Sequence, residues 1–241
     1  MLEEARRLID AAGDRGLRLR AIGGMGVLLT LRSPDLLQQL GRGPINDIDL
    51  VGMSEQRLQY QRLFEDLDYE VDRALLVVAE GRRYGFQARN DPSIHVDVFI
   101  DRLEMCHTLD LRPRLGVEPY SLTATDLLLQ KLQIVDLKHK DVVDLVALLL
   151  DSSETLDFRY FSGILADDWG FFHTAAMTLG VVDDSVGELD LSPSQADAVR
   201  SAVKRLHWAA EAAPKTRRWK VRAAVGTRVR WYQQVDEPDS F

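Results

Sequence analysis

Three stretches in the first half of the chain alternate apolar and polar positions. Residues 17–22 (LRLRAI) alternate apolar with basic side chains, and residues 45–51 (INDIDLV) alternate apolar with acidic ones. Residues 94–100 (IHVDVFI) form an apolar run with Asp97 inside it. A period of two is that of a strand, whose successive side chains face opposite ways, so three strands are predicted. A hairpin is predicted from residues 74–80 and 84–88 around Gly81-Arg82-Arg83. Helical spacing marks residues 3–12, 25–31 and 54–66, the last with Ser54 as N-cap and Leu58, Leu63 and Phe64 inward. Gly23-Gly24 ends the first strand and opens the next helix, and residues 41–44 (GRGP) read as a loop.

From residue 123 the period changes to that of helices. Residues 123–135 and 138–151 predict two, residues 158–179 a third, and Ser192-Pro193 starts another that runs to Ala213, before Pro214. Pro113, Gly116 and Pro119 cluster between the two regimes. The expectation is a mixed α/β (α+β) domain over residues 1–115 and a helical C-terminal domain over residues 116–241.

Composition narrows the class. The 241 residues are 46% hydrophobic and 28% charged, as in globular proteins and unlike disordered or collagen-like chains. No apolar run approaches the roughly 20 residues of a membrane helix, and the charged, amphipathic start MLEEARRLIDAAG lacks the apolar core of an export signal. A lone cysteine, Cys106, excludes an internal disulfide and a Cys-rich zinc site. A cytoplasmic protein is expected, with no membrane partner. Charge is uneven. Residues 204–230 hold nine Lys/Arg against one acid, Glu211, a local +8 in a chain of net −8, which leaves −16 elsewhere. Trp208, Trp219 and Trp231 interleave that stretch, followed by Tyr232. Such a pattern suits either a nucleic-acid contact or a final helix whose tryptophans dock inward while its arginines stay in water.

The chemistry lies in carboxylates. Asp47 and Asp49, at i and i+2 on one strand, share a face, while Ile48 and Leu50 turn to the other. Asp97 stands within a second apolar strand, where a carboxylate needs a hydrogen bond, a cation or a metal. If the two strands are neighbours, three acids converge, and a hard divalent cation, Mg²⁺ or Mn²⁺, is what lets them coexist. The turn at Gly23-Gly24 offers backbone amides beside a helix N-terminus to phosphate oxygens. The five histidines form no ligand pair, although His95 lies on the same strand face as Asp97. There is no G-x-S-x-G elbow, Walker A lysine loop or G-x-G-x-x-G.

Strand, Gly-Gly, helix, then the I-D-I-D-L strand and the later V-D-V strand resemble the minimal nucleotidyltransferases of the DNA polymerase beta superfamily. Leu127-Leu-Leu-Gln-Lys131-Leu followed by Lys140-Asp141-Val-Val-Asp144-Leu is similar to the pattern of AbiEii-type nucleotidyltransferases, the toxins of type IV toxin–antitoxin systems. The resemblance covers residues 17–151. It implies a minimal nucleotidyltransferase fold with a mixed sheet, and transfer of a nucleoside monophosphate from an NTP to an acceptor hydroxyl. On it, Asp47, Asp49 and Asp97 bind Mg²⁺ or Mn²⁺ and carry catalysis, while Gly23 and Gly24 hold phosphates. Lys131 neutralises the triphosphate, and Asp141 and Asp144 position Lys131 or the nucleotide. It further implies RNA, in particular tRNA, as acceptor and a cognate antitoxin as partner. The alternatives are a small-molecule, aminoglycoside-like acceptor, which the net charge of −8 suits, and a relative that binds nucleotide without turnover. The chain departs from the pattern in reading Gly24-Met25-Gly26 where many relatives have Ser or Thr. It also has Asn46 where a basic residue often precedes the first acid, Arg42 being the nearest candidate.

Overall fold

The three alternating stretches become strands of one sheet in the computed structural model, which describes residues 1–234. Its strands are β1 (Leu19–Ala21), β2 (Asp47–Gly52), β3 (Tyr69–Val71), β4 (Arg83–Ala88) and β5 (His95–Ile100), in the order β1-β2-β5-β4-β3. β2 and β5 run parallel and the other neighbours antiparallel, so the sheet is mixed. The helices are α1 (Leu2–Gly13), α2 (Gly23–Thr30), α3 (Asp35–Gln39), α4 (Arg57–Asp66), α5 (Arg73–Val78), α6 (Ala124–Leu132), α7 (His139–Ser152), α8 (Phe158–Asp167), α9 (Trp169–Ser185), α10 (Pro193–Ala212) and α11 (Arg217–Val225).

The chain divides into two units. The sheet unit comprises Met1–Pro34, Gly43–Leu103 and Leu109–Thr123; the helical unit takes Asp35–Arg42, Glu104–Thr108 and the chain from Ala124 on. A cut at residue 115 would fall within the last segment of the sheet unit. In the sheet unit, alternation sends Ile48 and Leu50 of β2, Val96 and Val98 of β5, and Phe86 of β4 into one apolar core. Leu8 and Ile9 of α1 and Tyr60, Leu63 and Phe64 of α4 join them, with Phe64 stacked on Phe86 at 4.0 Å. The opposite parity carries Asp47 and Asp49 of β2, Arg83 and Gln87 of β4, and His95 and Asp97 of β5, with Val51 and Phe99 among them. In the helical unit α6 is buried from Thr125 to Leu132, and α7 buries both faces, so these two form its centre. Among the described residues no helix is long and apolar enough to cross a membrane.

Three local expectations are corrected. Residues 73–78 form α5, not a strand: Asp72 caps the helix by accepting from the amides of Ala74 and Leu75, both at 2.9 Å, and β3 takes the place beside β4. The helix expected over residues 158–179 is two, because Asp168 leaves helical geometry and its carboxylate caps α9 through the Phe171 amide. Ser54 opens a short 3₁₀ turn instead of capping α4, and Leu58 points outward, 67% exposed. The capping box at Ser192 and Gln195 starts α10 where expected.

Candidate active site

Parallel pairing of β2 with β5 sets Asp49 directly opposite Asp97, and Asp47 opposite His95. All four side chains therefore lie on the polar parity of the sheet. Gly85 of β4 lies opposite Asp97 from the other side, and Arg83, two residues before it, reaches the same face. The Arg83 guanidinium donates to Asp97 Oδ2 at 2.5 Å and lies over the Phe99 ring at 5.1 Å. Its Nε is buried without a hydrogen-bond partner among the described residues. Burial opposes the Arg83 charge, but the hydrogen bond to Asp97 and attraction to Asp97, Asp49 and Asp47 outweigh it and raise the guanidinium pKa. Arg83 thus supplies the positive charge that this acidic face requires.

Gly23 is the second close approach. It has φ +61°, in the left-handed region, and a Cβ there would lie 2.5 Å from Asp49 Oδ2. Only glycine meets both demands. The Ile22 amide donates to the Asp49 carbonyl at 2.9 Å, which ties the α2 N-terminus to β2 beside that carboxylate. In front of the sheet opens a groove of about 640 Å³, lined by Asp47, Asp97, Arg83 and His95, and by Glu70 and Asp72 at its far wall.

The donors suit a hard divalent cation: they are carboxylate oxygens on adjacent strands, with a glycine cradle packed on one of them. As they stand, no three acids or histidines among the described residues are close enough to hold an ion. Asp97 is engaged by Arg83 instead.

Lys131, Asp141 and Asp144 come together inside the helical unit. The Lys131 ammonium lies 2.7 Å from Asp141 Oδ1 and 2.8 Å from Asp144 Oδ2. Arg42 Nε donates to the other oxygen of Asp144 at 2.9 Å. Two cations and two anions enclose one another, with Asp144 fully buried. Burial works against the Lys131 charge, yet Asp144 and Asp141 outweigh it and raise its pKa. Arg42 is therefore committed to Asp144 within this network.

No family model and no curated protein matches the chain. Distant solved structures do. The chain is similar to ANT(2″)-Ia in complex with adenylyl-2″-tobramycin, at 12% identity and a TM-score of 0.39, over 85% of this chain and 97% of that one. It is also similar to the antibiotic-resistance factor ANT(2″)-Ia in solution, at 13% identity and a TM-score of 0.39, over 87% and 94% of the two chains. Likeness at that level carries no argument about activity, so any function must rest on the site itself.

The residue that sequence reading missed is Arg83. It stood in a predicted turn, and only the β4–β5 register brings it to Asp97. Its one signal was position: an arginine at the mouth of an apolar strand, two residues before a glycine.

Proposed function

We propose that the protein transfers a nucleoside monophosphate from an NTP to a hydroxyl of a cationic small molecule. The observation that carries this reading is the in-register placement of Asp49 and Asp97 on parallel strands, with Asp47 on the same face and Gly23 packed on Asp49. Asp47, Asp49 and Asp97 would hold Mg²⁺ or Mn²⁺, which when bound supplies positive charge for the triphosphate and acidifies the acceptor hydroxyl. The chain's own groups do the rest. Amides at the start of α2, at Gly23 and Gly24, would hold phosphate oxygens beside the Asp49 carboxylate that packs on Gly23. Asp97 orients the acceptor hydroxyl and takes its proton. The acceptor oxygen bonds to the α-phosphorus, the bond from that phosphorus to the β-phosphate oxygen breaks, and pyrophosphate leaves with the electron pair. Arg83 releases Asp97 for this task and keeps its charge near the departing phosphates. Positioning and charge compensation, not a covalent enzyme intermediate, supply the rate.

The acceptor class follows from the groove. Asp47, Glu70, Asp72 and Asp97 face it against Arg73 and Arg83, with His95 beside them. That excess of carboxylate attracts an amine-bearing acceptor, such as an aminoglycoside, and repels a polyphosphate backbone. RNA, tRNA included, is the second reading, favoured by the +8 stretch over residues 204–230. Lys131 has its charge matched by Asp141 and Asp144, and we give these three a structural part in place of a contact with the nucleotide.

The test incubates the protein and an Asp47→Asn/Asp49→Asn variant with Mg²⁺, each α-³²P-labelled NTP, and either an aminoglycoside panel or total RNA. Carboxylate-dependent label on the aminoglycosides is the expected result. Carboxylate-dependent label on RNA alone would transfer the assignment to RNA, and label on neither would leave the transferase reading without support.

A further inference from the structure

The helical unit has a groove that the transferase chemistry does not use. It measures about 630 Å³, within the range of small-ligand sites, and lies between the start of α9 and α11. Trp169, Trp231, Val221 and Val225 give it apolar walls, and Arg217 and Arg218 stand at its rim.

The walls are fixed in advance. Trp231 Nε1 donates to Thr174 Oγ1 at 3.0 Å, and two residues on the Gln233 amide donates to the Cys106 carbonyl at 2.9 Å. A Cβ on Gly170 would run into the Trp231 carbonyl, so a glycine there lets the segment seat. Trp169 stacks on His173 at 5.1 Å, and the Arg222 guanidinium lies 4.9 Å from its ring centre. Trp231 differs. Its aromatic neighbours His173 and Tyr232 meet it edge-on, at 81° and 71°, so no ring among the described residues stacks on its face.

The rim charges are not used up. Arg222 donates to the carbonyls of Gly226 and Val229. Arg218 is 75% exposed and only 3.8 Å from Asp167, and Arg217 makes no ion pair among the described residues. Asp168 is committed to the α9 cap. Three arginines against Asp167 and Asp168 leave the mouth near +1, a balance suited to one phosphate and not to a triphosphate.

We propose that this groove binds a nucleoside monophosphate unit, its base stacked on Trp231 and its phosphate on Arg217 and Arg218. A flat apolar body wants the unstacked indole, and a single anion wants the rim guanidiniums. A nucleotide brings both in a volume this groove accommodates. Stacking on an indole accepts any base, since every base has a flat π-face. The site lies wholly in the helical unit and does not depend on the transferase reading.

Calorimetric titration in EDTA tests it, because chelation leaves the carboxylate face of the sheet unit without a metal-bound nucleotide. AMP is the probe, with adenosine, inorganic phosphate and a 5′-phosphorylated hexa-adenylate as separate arms. AMP should bind saturably, and adenosine and phosphate each at least tenfold more weakly. Arg217→Glu/Arg218→Glu, on exposed side chains, and Trp231→Leu should each weaken AMP at least tenfold. Binding of the hexanucleotide but not AMP, with the same dependence on both variants, would overturn the mononucleotide site in favour of the end of an RNA strand. Failure of both ligands to bind, or binding indifferent to both variants, overturns the proposal. Nucleotidyl transfer by Arg217→Glu/Arg218→Glu should persist, so the two readings fail separately.

Discussion

Asp144 in the helical unit and Asp97 in the sheet unit each meet a cation, but in opposite settings. Asp144 has no exposed surface and is held by Lys131 through one oxygen and Arg42 through the other. Asp97 is 20% exposed at the wall of an open groove and shares one arginine with Asp49 and Asp47. The first network balances two cations against two anions, with Asp144 Oδ2 meeting Lys131 as an ion pair without hydrogen-bond geometry. The second gathers Asp47, Asp49 and Asp97 around Arg83, whose Nε has no hydrogen-bond partner among the described residues. Like charges gathered on one face repel and do not by themselves stabilise a fold. On the proposed function, the contrast separates charges that hold a fold from charges placed to receive a ligand.

The largest expected effects set the two clusters directly against each other. Asp49→Asn should lower nucleotidyl transfer by at least about a thousandfold, or about 4 kcal/mol of barrier, while thermal unfolding stays unchanged or rises as repulsion is relieved. Lys131→Met should show the reverse signature. It removes the ion pair of buried Asp141 and leaves Asp144 on Arg42 alone, and should cost about 3–5 kcal/mol of stability in denaturant unfolding. If Lys131→Met folds normally and only transfer is lost, the structural assignment of that lysine is wrong.

How much of this contrast could be read from the sequence depends on distance along the chain. The faces of β2 and β5 followed from alternation alone, since Asp47 and Asp49 sit two apart and Asp97 interrupts an apolar run. The Lys131–Asp141 pair came only from the resemblance, because a lysine on an amphipathic helix ordinarily lies in water. Arg83 was hidden, because no local pattern fixes how β4 registers against β5. α5 was misread for a local reason: RALLVV is apolar and partly β-branched, as a strand would be, and the capping by Asp72 decided the matter. The break at Asp168 went unseen because the apolar spacing continues through it, and only the cap to Phe171 marks the new helix.

His107 extends the comparison to a base kept uncharged. It is buried in the helical unit, its Nε2 2.8 Å from Thr174 Oγ1 and its ring stacked on Phe171. Burial lowers its pKa to about 4, against a weaker opposing pull from Asp168. A base whose pKa falls on folding binds its proton more readily when unfolded. Its contribution is therefore complete above about pH 6.5 and is lost as pH falls from there toward 4. The loss should reach roughly 2–3 kcal/mol by pH 4.5. Denaturant unfolding at pH 7 and 4.5 should show that slope, and His107→Phe should reduce it. An unchanged slope would mean that His107 is protonated in the folded protein.

Gly23→Ala probes how tightly the open cluster is built. The left-handed φ costs a non-glycine residue about 1–2 kcal/mol. The new methyl would meet Asp49 Oδ2, the movable end of a side chain, and so displace the carboxylate more than the backbone. Stability should fall by that 1–2 kcal/mol in urea melts, with a separate loss of transfer. Unimpaired transfer would show that Asp49 need not hold its place.

Arg83→Met gives the smallest and most discriminating change. If Arg83 neutralises the carboxylates only until a divalent cation arrives, arginine and ion compete for Asp97. Removing the arginine should then tighten Mn²⁺ binding about tenfold, about 1.4 kcal/mol, as read by the loss of free-Mn²⁺ electron paramagnetic resonance signal. Without the ion the variant should be slightly less stable, since Asp97 loses its only ion pair among the described residues. The stability gap to the unaltered protein should close as Mn²⁺ is added. Weaker Mn²⁺ binding in the variant would instead make Arg83 a support that aims Asp97 at the ion. The open cluster would then share the closed architecture of the Lys131 network, and the distinction between the two would fail.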